Sequence, residues 1–114
     1  MKVINRTRNR TLGASVATAS GALARMRGLL GTDGLPAGRG LWISPCRAIH
    51  SIGMRYAIDA LFLDAAMKVV GIRAGFPRNR ISRIFPSARG VLELPAGTIE
   101  ATGTQVGDEI AFHD

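Results

Sequence analysis

The 114-residue sequence predicts a mainly β protein folded as one domain over residues 1–114, and three observations carry that expectation. From Leu41 onward, short apolar runs are separated by Gly, Pro and Asp, the punctuation of an all-β chain. Fourteen glycines spread along the sequence supply many tight turns. A single segment, in the N-terminal half, places its apolar residues at helical spacing. With 46% hydrophobic and 20% charged residues, the chain is too apolar for disorder. Size scaling gives a folded surface of roughly 6,000 Å² against about 17,500 Å² unfolded, so about two-thirds is buried and a core forms without metal or disulfide help. One cysteine excludes an internal disulfide, and no apolar run approaches the roughly 20 residues that span a bilayer.

In chain order, Val3-Ile4 and Leu12 to Val16 read as short strands. Ser20 caps a short helix whose Ala22, Leu23, Met26, Leu29 and Leu30 share one face; Gly31 stops it, and Gly34, Pro36, Gly38 and Gly40 mark a loop. Strands follow near 41–44, 48–52, 57–63, 68–74, 90–94 and 108–113. The clearest unit is a hairpin in which Asp64-Ala65-Ala66-Met67 links two apolar runs, a spacing that suits a type I turn opened by Asp. Pro77 to Ser87 is too basic and too Pro-punctuated for a central strand and reads as an exposed excursion. Pro95-Ala96-Gly97 introduces a short helical turn.

Charge is the unusual bulk property: 15 basic against 8 acidic residues give a net charge of +7. Residues 1–40 hold seven basic side chains against Asp33 alone, and 73–89 hold Arg73, Arg78, Arg80, Arg83 and Arg89 with no acid. The sign reverses over 90–114, so the two ends are placed to neutralise each other. Arginine outnumbers lysine 13 to 2, which planar recognition of phosphate or carboxylate would favour and GC-rich codon usage would also produce. A basic N-terminus before a small, weakly apolar stretch makes a poor signal peptide. The expected compartment is the cytoplasm, with export the alternative should that stretch be a weak or trimmed signal.

Three segments together resemble the prokaryotic family called domain of unknown function 192. They are Arg25-Met26-Arg27-Gly28-Leu29-Leu30-Gly31, the long run from Pro45 through His50, Met54 and Asp59 to Asp64, and Val91 to Thr98 with Gly107-Asp108. The match covers nearly the whole chain; Met67 stands where members usually carry Gly, and Leu30 where they carry Met. The resemblance implies a compact β-sandwich or jelly-roll-like domain and no established activity.

Read as chemistry, Cys46, His50 and Met54 recur every four residues, but Pro45 and Gly53 oppose the helix that would gather them. Extended, they lie roughly 13 Å apart per step, too far for one ion, so no metal and no cofactor is expected. His50 and Ser51 are adjacent and point to opposite faces of an extended segment, which argues against a nucleophilic pair. Asp59 and Glu93 interrupt apolar runs. Either they face outward by alternation, or they face inward and need partners, with Arg55, Arg89, Arg27 and His50 as candidates; for Asp59 the apolar neighbours predict burial, with Arg55 or His50 as the expected partner.

The expected function is a non-catalytic small-ligand-binding or accessory β-domain. Its polar site lies near His50 and Asp59, with Met54, Arg55, Glu93, Arg27 and Arg89 contributing, and its partner is a small anionic ligand or a protein. One alternative is a basic protein binding nucleic acid without sequence preference; another is a small hydrolase-type enzyme using His50 with Asp59 or Glu93.

Overall fold

The structure, a computed structural model, describes residues 1–19 and 34–114. The expected helix from Ser20 to Leu30, and Arg27 with it, lies outside the described residues. Among the described residues, eight strands form two sheets: β1 (Lys2–Asn5), β2 (Arg10–Gly13), β3 (Ser15–Ala19), β4 (Arg39–Ile43), β5 (Ile58–Leu63), β6 (Val69–Phe76), β7 (Gly90–Pro95) and β8 (Ile110–His113). The small sheet runs β2-β1-β8 and the large one β3-β4-β7-β5-β6, with β3 parallel to β4 and the other pairs antiparallel. One short helix, α1 (Thr98–Thr102), is found among the described residues, where Pro95-Ala96-Gly97 announced a helical turn.

The large sheet is covered on both faces, and this explains why the apolar runs of β5 and β7 are nearly continuous. On the inner face Leu61, Leu63, Leu92 and Leu94 pack with Val3, Leu12 and Ile110 of the small sheet. On the outer face Ile58, Ala60, Phe62 and Val91 pack beneath two loops through Ile49, Met54, Phe85 and Ala88. All six residues of β5 are buried. Fully burying a side chain the size of Leu or Phe stabilises by roughly 1.5–3 kcal/mol, so β5 and β7, buried on both faces, carry a large share of the hydrophobic gain.

Leu12 to Val16, expected as one strand, is two, because the chain changes sheets at Ala14. The corner is tight: a Cβ on Gly13 would sit 2.8 Å from a Val16 methyl and 3.2 Å from the Gly38 carbonyl oxygen. The 64–67 turn forms as expected. Asp64 Oδ1 accepts from the amides of Ala66 and Lys68, both at 2.9 Å, and Met67 takes a left-handed φ of 60° where a glycine would be unstrained.

The oppositely charged ends do meet. β1 pairs with β8, Arg6 bridges Glu109 at 3.1 Å, and Arg8 Nε donates to Asp108 Oδ2 at 2.7 Å. Asn5 Nδ2 and the Gln105 amide donate to the same oxygen at 2.9 Å. Burial pushes the Asp108 carboxyl up, but the hydrogen bonds from Arg8, Asn5 and Gln105, with the Arg8 charge, outweigh it and hold the group below its ordinary value. A depressed folded pKa stabilises fully above the unfolded value of about 3.9 and is lost as pH falls through the folded one. Urea unfolding at about pH 6 and about pH 3 therefore shows a larger acid loss for wild type than for Asp108→Asn; equal losses would remove Asp108 from the acid limb.

Candidate functional site

The outer face of the large sheet carries a layer made of residues 44–57 and 77–89. Its two segments run side by side, Cys46 N to Arg89 O at 3.0 Å, Phe85 N to Arg47 O, Ser82 N to Ile49 O and Ser51 N to Arg80 O, the last three at 2.8 Å. Two buried serines replace ladder bonds with side-chain ones. Ser82 Oγ accepts from the Ile49 amide at 3.0 Å, and Ser51 Oγ accepts from the Arg80 amide at 3.0 Å while donating to Pro77 O. The strand expected at 48–52 is accordingly reduced to an isolated bridge between His50 and Ile81. Its partner segment carries Pro77 and Pro86, which donate no backbone hydrogen, and Gly53 turns the chain away with φ 84°.

The 77–87 excursion is less exposed than expected: Ser82 and Phe85 point inward, and only its remaining side chains face water. Phe85 fixes the layer. Its ring stacks on Phe62 with centroids 4.0 Å apart, and the guanidinium carbons of Arg83 and Arg73 lie 4.2 and 5.4 Å from its centroid. The ring lies against Gly71 of β6, where a Cβ would fall 2.3 Å from Phe85 Cε1.

The structure divides the expected site between the two faces of the sheet. Met54 is buried in the outer cluster, and Glu93, fully buried on β7, faces the same side, its register partners Leu41 and Ala60 both belonging to that cluster. His50 is half-buried at the cavity described below, its Nδ1 out of contact with solvent. Arg55 and Arg89 are exposed. Asp59 is on the inner face. Its carboxylate is buried as the apolar neighbours implied, yet its partners are neither Arg55 nor His50: Oδ1 accepts from the Gly75 amide at 2.8 Å, and Oδ2 from the amides of Gly97 at 3.1 Å and Ile99 at 2.8 Å. Asp59 thus secures the start of α1 and the end of β6 from a neighbouring strand, and a His50–Asp59 relay has no geometric basis. Cys46 is half-buried with Sγ donating to Ala48 O at 2.9 Å.

Beside His50 lies a cavity of about 320 Å³ lined by Ala48, Ile49, His50, Ile52 and Ile81. Four linings are apolar and one is the imidazole. All six arginines of the layer, Arg47, Arg55, Arg78, Arg80, Arg83 and Arg89, are exposed, and no acid occurs in either segment. Sequence reading passed over Ile52, Ile81 and Ile84; the available signal was isoleucine recurring inside an Arg-rich, Pro-bounded stretch. A wider hollow of about 620 Å³ opens between the sheets at Trp42 and Phe112, but its rim is the mutually neutralised Arg6–Glu109 pair.

A family model named domain of unknown function 192 and described as an uncharacterised group matches residues 3–112. A UPF0127 protein of Thermococcus sibiricus is 29% identical over 95% of this chain and 72% of its own. Another, of Pyrococcus furiosus, is 33% identical over 58% of this chain and 56% of its own, little more than half its length. Among solved structures, a Novosphingobium aromaticivorans protein of unknown function superposes with TM-score 0.83 at 18% identity, covering 98% of this chain and 84% of its own. A Sinorhizobium meliloti protein provisionally named a transcription regulator gives 0.78 at 21%, covering 96% and 89%. At these identities the two structures establish the fold alone.

Two substitutions test this arrangement. Asp59→Ala strands three amide donors and is expected to cost about 3 kcal/mol, with Asn recovering part because it keeps one acceptor oxygen. Thermal melts check it, and unchanged midpoints would remove the capping role. Gly71→Ala drives a methyl into the Phe85 ring and is expected to cost about 2 kcal/mol, read by the same melts and by near-ultraviolet dichroism of the displaced ring.

Proposed function

Since the chain belongs to the uncharacterised family domain of unknown function 192, we propose that it is a non-catalytic binding module whose outer loop layer takes a small amphipathic anion. The observation that supports this reading is the His50 cavity: apolar walls, one polar group, and a surrounding layer with six exposed arginines and no acid. A concave apolar site with one polar group to fix orientation is what small-molecule recognition requires. The apolar body of the ligand lies against Ile49, Ile52 and Ile81, and His50 orients its polar end. Arg47 and Arg80 stand next in the chain to the wall residues Ala48 and Ile81, and their planar forks suit a carboxylate or phosphate.

No bond-making step belongs to this site. Ser51 Oγ is engaged by the backbone of Pro77 and Arg80, and Asp59 is turned to the other face of the sheet. Nucleic acid is the weaker partner. The six aromatic side chains are all buried or half-buried, so no stacking platform is offered, and the arginines alone give adsorption through phosphates.

Titration of the ¹⁵N-labelled chain with octanoate, and with octanol as the uncharged control, tests the proposal. Amide shifts are expected over 48–52 and 79–83, with octanol at least about tenfold weaker, and Ile81→Gln is expected to weaken octanoate by about tenfold. Equal affinity for octanol would overturn the anion reading, and shifts centred on Trp42 and Phe112 would move the site to the other hollow.

A further inference from the structure

We propose that the same layer docks the protein on the surface of an anionic phospholipid bilayer, an inference that rests on reading this layer as the binding face. The tips of its two segments are held together: Gly53 N donates to Asn79 Oδ1 at 3.2 Å and Ser51 N to Arg80 O at 2.8 Å. On these tips and just beyond them stand Ile52, Ile81 and Ile84, exposed to 53%, 72% and 65%. A lone exposed aliphatic side chain needs no explanation, but three on two joined loops, two of them walls of one cavity, leave that layer with apolar surface that water does not favour.

A small ligand in the cavity accounts for two of them. Ile52 and Ile81 line it, whereas Ile84 does not and would stay uncovered. A nucleic acid accounts for none, since it offers phosphates to the arginines and leaves the isoleucines in water. A bilayer surface satisfies both sets at once. Aliphatic tips enter the boundary beneath the head groups while the arginines lie in the phosphate layer, their stems following the apolar side and their heads remaining hydrated. Six exposed arginines without an acid give that surface the charge an anionic leaflet attracts.

The layer also needs no rearrangement to present the tips, because Phe85 on Phe62 and the buried Ser51 and Ser82 fix it from behind. Docking of this kind is peripheral. No helix among the described residues is long and apolar enough to cross a membrane.

The test is co-sedimentation of the full chain with vesicles of phosphatidylcholine alone and with about 30% phosphatidylglycerol. Partitioning at least about tenfold stronger into the anionic vesicles is expected, weakening as salt rises. Ile84→Gln changes no charge, replaces an exposed side chain and lies outside the cavity. It is expected to lower vesicle binding by about tenfold while octanoate binding and the melting midpoint stay unchanged. Arg78→Ala with Arg80→Ala lowers vesicle binding as well. Equal binding to both vesicle types, or an Ile84→Gln variant that binds like wild type, would overturn the proposal. An unrelated DNA duplex that displaces the chain from vesicles, with an affinity indifferent to Ile84→Gln, would overturn it in favour of phosphate adsorption. Failure of octanoate to bind, with vesicle binding still sensitive to Ile84, would remove the cavity reading and leave the docking surface standing.

Discussion

Because β5 and β7 run through the middle of a sheet with a hydrophobic cluster on each face, neither strand has a side for water, and the other parts of the fold are arranged around that constraint. The small sheet covers one face, and an irregular double loop covers the other. A loop layer seldom makes a good cover, since its backbone amides and carbonyls must be satisfied without a regular ladder. Here the problem is solved by cross-loop backbone bonds, by Ser51 and Ser82 standing in as hydrogen-bonding groups, and by one aromatic ring set into the glycine gap of β6. The loops that carry the exposed isoleucines and arginines outward therefore also close the outer hydrophobic cluster inward, through Ile49, Met54, Phe85 and Ala88.

Whatever depended on near neighbours was legible in the residues. The Asp64 turn forms from bonds two and four residues away, and the Pro-Ala-Gly entry to α1 is a local signal. The charge reversal between the chain ends also read correctly, because complementary segments carry it in composition alone. The strand expected at 48–52 failed for a physical reason: its partner segment contains prolines and meets it through serine side chains.

Asp59 marks the same limit within the site. That a carboxylate amid Ile58, Ala60 and Leu61 would be buried follows from its neighbours; that it would serve amides 16 to 40 residues further along does not. Side-chain charge suggested arginine or histidine as the partner, whereas the structure uses main-chain donors, which every residue but proline carries and which leave no trace in composition. The isoleucines were hidden differently. In a segment read as basic, Ile81 and Ile84 counted as incidental, and only the inward turn of Ser82 and Phe85 shows that they are the outward pair.

The pairing of β1 with β8 sets Lys2 opposite His113 within one sheet. Between Lys2 and His113 the path of the backbone is consequently close to a closed ring, with β1 and β8 as neighbours and the hydrogen-bonded turn from Asp64 to Lys68 midway between them in sequence. In such a ring the neighbour relations among strands do not depend on where the covalent chain is cut. A permuted chain joined across Lys2 and His113 by a short flexible linker and opened between Ala65 and Ala66 would keep every strand pairing and both coverings of the large sheet, so the order of synthesis is separable from the order of the sheet.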